Sequence, residues 1–200
     1  IPRESENWLQ ALFEASWAFF LLEKPNNCLG NIHTLHAPFF TRKYFPESYI
    51  LEALTYLRLC MFDRAKIVLS SFKKRYNGAL STMNTLVQKK KMTSKAILQM
   101  VKKYSEGLLK SYAPIHPIFD QIVHSDVYLD YANVIQDIEQ ELFSLNEAEL
   151  PEKMKMELKN FLTRKKMAIE KNSGVRLLEL FNQHFIALKQ LDEQTKLIEA

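Results

Sequence analysis

The chain has 200 residues, with hydrophobic and aromatic shares of 47 % and 12 %, enough to fill a core and to exclude disorder. Four glycines argue against a Gly-rich sandwich, a dinucleotide-binding turn or a phosphate loop, and two cysteines without CxxC spacing argue against a disulfide framework or zinc site. The net charge of +4 is uneven: residues 1–100 hold 14 Lys and Arg against 7 Asp and Glu, and residues 101–200 hold 13 against 16.

Leu, Lys, Glu, Ala and Met favour helix, and the chain reads as all-α. Periodicity predicts a first helix from about Glu4 to Lys24, where Trp8, Leu12, Ala15, Phe19 and Leu22 form one apolar stripe. Pro25-Asn26-Asn27 breaks it, and a second helix is expected from about Cys28 to Leu35. Pro46 then opens a third, to about Cys60, since proline in a first turn loses no helical hydrogen bond. A fourth is expected over Arg64 to Tyr76, closed by a turn at Asn77-Gly78, with two more near 79–91 and 94–112. Pro114 and Pro117 mark the clearest interior break. Helices near 118–124 and 126–145 follow, and Pro151-Glu152 opens a last helix that continues to about residue 198. Its weak point is Asn172-Ser173-Gly174. The expected organisation is 1–77, 78–113 and 114–200, three segments of one continuous helical unit.

Aligning residues 8–40 with 45–77 gives an internal repeat of 37 residues. Ser16 falls against Ala53, Phe19 against Tyr56, Cys28 against Ala65 and Leu35 against Phe72. Small residues allow close helix approach and the rings fill the space beside them; one such hairpin cannot bury its inner face, so hairpins stack. The segment from Pro46 to Tyr76, with Ala53, Tyr56, Phe62, Ala65 and the ending Phe72-Lys73-Lys74-Arg75-Tyr76, resembles the tetratricopeptide repeat. The F-x-x-R-Y ending is similar to the bacterial envelope branch of that family, and "GNIHTLHAPFF" with "YFPESYILEALTYL" is similar to deltaproteobacterial repeat proteins. Cys60 replaces the family's turn glycine, Asn77 its closing proline and Glu52 a leucine; in the first repeat Glu23 occupies the turn. The resemblance covers residues 8–77. It implies a tetratricopeptide-like α-solenoid of antiparallel hairpins, followed by long C-terminal helices, and a partner-binding groove lined by the first helix of each pair. An envelope or periplasmic location is implied by the resemblance alone.

The groove-facing candidates are Asn7, Gln10, Glu14, Tyr49, Glu52 and Tyr56. Between Asp63 and Glu106 stand eleven basic residues and no acid. Of these, Lys73, Lys74, Lys89, Lys90 and Lys91 are the candidates for drawing in an acidic protein or peptide, although the whole run also fits solvated helix faces that meet the acidic second half of the chain. The same lysines allow a nucleic-acid reading, weakened by the lack of any reading module. His33 and His36, three residues apart, resemble a ligand pair, but the sequence places no supporting carboxylate beside them, so neither metal nor cofactor is expected. No GxSxG, activated cysteine or paired-carboxylate signature points to catalysis. The expectation is a non-catalytic interaction scaffold. The alternative is self-association through the long C-terminal helix. No stretch reaches the length of a membrane span, and a start at Ile1-Pro2-Arg3 suits a piece of a longer chain.

Overall fold

The computed structural model describes Ser5 and residues 7–41, 43–89 and 91–199. Among these residues the regular structure is helical throughout: α1 (Trp8–Leu21), α2 (Pro25–Leu35), α3 (Glu47–Arg58), α4 (Phe62–Gln88), α5 (Ser94–Ser105), α6 (His116–Val123), α7 (Asp126–Glu147) and α8 (Glu152–Glu199). Short 3-10 turns at Pro38–Phe40 and Ala113–Ile115 precede α3 and α6. The described chain divides into two compact units. The first holds residues up to 81 together with 186–199, and the second holds 82–185, so α4 and α8 each contribute to both.

In the first unit α1 packs along α2, and α2 along α3. Leu9, Phe13, Cys28, Ile32, Leu35 and Leu51 form the buried cluster, with Trp8, Trp17, Phe20 and Phe45 packed around it. Ser16 and Ala53, the small residues of the alignment, are both fully buried. The turn between α1 and α2 and the turn between α3 and α4 use one hydrogen-bond pattern, offset by 37 residues. Lys24 N–H donates to Phe19 carbonyl at 2.9 Å, and Met61 N–H to Tyr56 carbonyl at 2.9 Å. Glu23 N–H donates to Phe20, and Cys60 N–H to Leu57. Glu23 and Cys60 both stand at φ 57°, the left-handed residue that ends a helix in a Schellman turn. Arg58 locks the pair of turns, donating to the Phe20 carbonyl at 2.7 Å, stacking over the Phe20 ring and reaching Glu23.

Left-handed backbone costs a side chain with a Cβ about 1–2 kcal/mol, part of which a glycine returns as unfolded-state entropy. Cys60 is exposed, so Cys60→Gly removes little packing. The variant is expected to gain about 0.5–1 kcal/mol in urea unfolding; a loss would show that the thiol has a structural contact of its own.

The second unit is built from the end of α4, from α5, α6 and α7, and from residues 152–185 of α8. Its core includes Met83, Ile97, Ile118, Phe119, Ile138 and Phe181, each at most 2 % exposed. Thr93 caps α5 by accepting from Ala96 N–H at 3.2 Å, and Ser125 caps α7 by accepting from Tyr128 N–H.

Several predicted boundaries move. The first helix begins at Trp8, and Glu4 and Glu6 of its expected start lie outside the described residues. The break after the first helix falls at residues 22–24, and α2 starts at Pro25 instead of Cys28, the proline occupying its first turn, where the missing N–H costs nothing. Asn77-Gly78 is no turn: α4 runs through it, carried by the buried stripe Phe72, Tyr76, Ala79, Met83 and Leu86. One poor helix former costs about 1 kcal/mol, less than burying several large side chains gains. The helix predicted over 94–112 stops at Ser105, because Gly107 turns left-handed at φ 70° and Leu108 N–H bonds back to Lys103. At Asn172-Ser173-Gly174 α8 is unbroken. A Cβ on Gly174 would lie 2.5 Å from the Ser94 carbonyl oxygen, so this glycine admits the start of α5 instead of weakening α8.

Candidate interaction surface

The six groove-facing candidates separate into two environments. Asn7, Gln10 and Glu14 are exposed on α1, with Gln10 Nε2 donating to Glu14 Oε1 at 2.7 Å one turn on. Tyr49, Glu52 and Tyr56 instead face inward, where α3 meets its neighbours. Tyr49 packs edge-on against Phe72 and Tyr76 of α4. Glu52 and Tyr56 are each 6 % exposed. These two are therefore interior contacts and offer no open surface to a partner. Burial pushes the Tyr56 hydroxyl above its usual range, with Glu52 adding to the rise and Arg64 opposing it.

Glu52 joins the two histidines of α2, a partnership missed in the sequence. Its carboxylate lies 3.1 Å from His36 Nδ1 and 3.3 Å from His33 Nε2. His36 also stacks on Tyr49 at 4.0 Å and places Nε2 2.7 Å from Ser48 Oγ. Serine, imidazole and carboxylate thus stand at the distances of a nucleophilic triad. Burial sets this cluster apart from an open nucleophilic site. Ser48 is fully buried, and its hydroxyl also donates to the Phe45 carbonyl at 2.6 Å. Ser48 and Glu52 hold His36 from its two ring nitrogens. The cluster is a clamp between α2 and α3. Close by, Cys28 meets Thr55 at 3.4 Å, and burial raises its thiol above the normal range, opposite to the activation a nucleophile needs. Among the described residues no group of three His, Cys, Asp or Glu is placed to hold a metal ion, and no helix is long and apolar enough to cross a membrane.

The signal for the clamp was Glu52 itself. A carboxylate at a position where the repeat pattern has leucine must find partners once buried.

An open apolar cleft lies elsewhere in the first unit. Trp17 of α1 and Glu47, Ile50 and Leu54 of α3 line it on one side. Ala187, Gln190, Leu191, Gln194, Leu197 and Ile198 of α8 line the other, around about 480 Å³. The face offered by the first helices of the two hairpins is thus already flanked by a helix of the same chain. Leu188 and Thr195 of that segment are fully buried, whereas Leu197 is 79 % exposed at the rim.

The basic candidates are distributed as follows. Lys73 pairs with Glu199 across α4 and α8, which engages its charge within the unit. Lys74, Lys89 and Lys91 are exposed, and Lys90 lies outside the described residues. Glu139 is held below the usual carboxylate range, first by its hydrogen bond from Lys166 and also by the nearby charge of Lys102. Part of the basic run therefore faces acids of the same chain. Phe72 and Tyr76 of the F-x-x-R-Y ending are buried, while Arg75 donates to the carbonyls of Thr41 and Lys43, so that ending organises the loop before α3.

No protein-family model, curated protein or solved structure matches this chain.

Proposed function

We propose that the chain is a non-catalytic protein-interaction module, built on tetratricopeptide-like hairpins, that takes an apolar helix or peptide of another protein against α1 and α3. The observation that carries this reading is the cleft between Trp17, Ile50 and Leu54 and the residues of 187–198. Its walls are apolar side chains with a few amides and one carboxylate, the composition that suits an amphipathic helix read at i, i+3 and i+4 spacing. Its volume accepts a few large side chains, the usual anchors of such binding. The recurrence of turn geometry at 37 residues supports the hairpin assignment. Exposed Lys74, Lys89 and Lys91 favour a partner with acidic flanks. An envelope setting rests on the F-x-x-R-Y resemblance alone.

A photo-crosslinking residue in place of Leu54, compared with one at the exposed Lys66 of α4, tests the reading in the source cells. The expected result is a protein adduct from position 54, none from position 66, and loss of the adduct with Leu197→Glu at the rim. Adducts from position 54 only to residues 187–198 of the same chain would make the cleft a purely internal contact.

A further inference from the structure

We propose that the groove between α7 and α8 in the second unit is a self-association surface that seats the same hairpin of a second copy of this chain. The groove encloses about 680 Å³ between Glu141 and Leu145 of α7, Ala148 just after it, and Leu158, Phe161 and Leu162 of α8. Phe161 is 62 % exposed and Leu158 39 %, and Met154 and Met156 of the same helix are exposed beside them. An apolar ring and leucine left in water on a concave surface mark a binding site rather than a solvated face.

Charge identifies the occupant. Along α7 stand Asp126, Asp130, Asp137, Glu139, Glu141 and Glu147, with no Lys or Arg. Over residues 152–171 of α8 stand Lys153, Lys155, Lys159, Arg164, Lys165, Lys166 and Lys171 against Glu152, Glu157 and Glu170. Only Glu139–Lys166 joins the two sets within the described residues, and Lys155 pairs locally with Glu152. Asp137 and Glu141 on the acidic rim, like Lys159 and Lys165 on the basic side, form no ion pair among the described residues. The groove thus has an acidic wall, lined by Asp137 and Glu141 of α7, and an apolar wall on a stretch of α8 that is net basic, with unspent charge on both helices. Four residues, 148–151, join α7 to α8, so the two helices run antiparallel.

Two arrangements with two-fold symmetry bring such a groove onto its copy. With the axis across the helices, each α7 lies on the partner's α7 and the acids repel. With the axis along the helices, each α7 lies on the partner's α8, acid meets base on both sides, and the exposed rings meet at the centre. Electrostatics therefore selects the second arrangement, a self-complementary contact that closes at two copies.

The test is the molar mass of the full chain by sedimentation equilibrium, from micromolar to submillimolar concentration and at low and high salt. The expected result is a reversible dimer, weakened by salt, that Phe161→Glu converts to monomer with unchanged helical circular dichroism. The decisive variants are the acid-reversed Asp137→Lys/Glu141→Lys and the base-reversed Lys159→Glu/Lys165→Glu. Each alone should weaken the dimer about tenfold or more. An equimolar mixture of the two should restore it, because each reversed helix then meets its complement. A wild-type monomer at every concentration overturns the proposal, as does a dimer that survives Phe161→Glu. Failure of the mixture to re-associate overturns it too, as does a monomer whose groove takes a basic amphipathic peptide instead.

Discussion

Gly174→Ala is expected to destabilise the second unit by about 2 kcal/mol, although alanine is the better helix former. In an open helix the exchange would gain about 1 kcal/mol. Here the new methyl would stand 2.5 Å from the Ser94 carbonyl oxygen and 3.1 Å from its carbon, both backbone atoms that cannot rotate away. Relief requires the start of α5 to withdraw from α8, disturbing the Thr93 cap and the buried Ile97 and Leu98 that follow. Overpacking of this kind costs about 1–3 kcal/mol or more, which outweighs the propensity gain. Gly30 supplies the control. It lies inside α2 with nothing within 4 Å of an added Cβ, so Gly30→Ala should stabilise by about 1 kcal/mol. Urea unfolding of the two variants separates the effects by sign. If Gly174→Ala also gains stability, the close approach of α5 to α8 is absent.

The same glycine shows where sequence reading succeeds and where it fails. Local signals survive: the all-helical class follows from composition and spacing, and the placing of Glu23 and Cys60 in turns follows from the repeat register. Calls that rest on a residue's intrinsic propensity fail where packing outweighs about 1 kcal/mol. Asn77-Gly78 looks like a turn because both residues are poor helix formers. It stays helical because Tyr76, Ala79 and Met83 are buried on either side of it. Asn172-Ser173-Gly174 fails for the complementary reason, since the Gly174 backbone is needed at a contact with Ser94, eighty positions earlier in the chain. The candidate sites divide along the same line. The exposure of Asn7, Gln10 and Glu14 agrees with their helical phase. Glu52 reads as groove-facing from its place on the first helix of a pair, although its phase beside the buried Ala53 and Thr55 belongs to the interior. The cleft against α1 and α3 could not be read at all, because its second wall comes from residues 187–198 and nothing local ties them to Trp17.

His36→Phe is expected to cost about 3 kcal/mol, whereas His36→Phe with Glu52→Leu should recover most of that loss. Glu52 has a side chain only 8 % exposed, and His36, at 19 %, is the better buried of its two counter-groups. His33 is 57 % exposed and shares its Nε2 between Glu52 and the Tyr56 hydroxyl. Removing His36 therefore leaves a carboxylate in the α2–α3 interface with one partly solvated partner. Removing the hydrogen-bond partner of a buried carboxylate costs about 3 kcal/mol, because the surviving charge keeps its desolvation penalty. Replacing both partners by apolar residues of similar size removes the penalty with the pair. Leucine at position 52 also continues the apolar run of the buried Leu51 and Ala53. Ser48 keeps its bond to the Phe45 carbonyl in every variant, so the α3 start provides no competing loss. A double-mutant cycle in urea should return a coupling of about 2 kcal/mol. Additive single effects would mean that Glu52 and His36 act independently, and the clamp would then dissolve into two unrelated side chains.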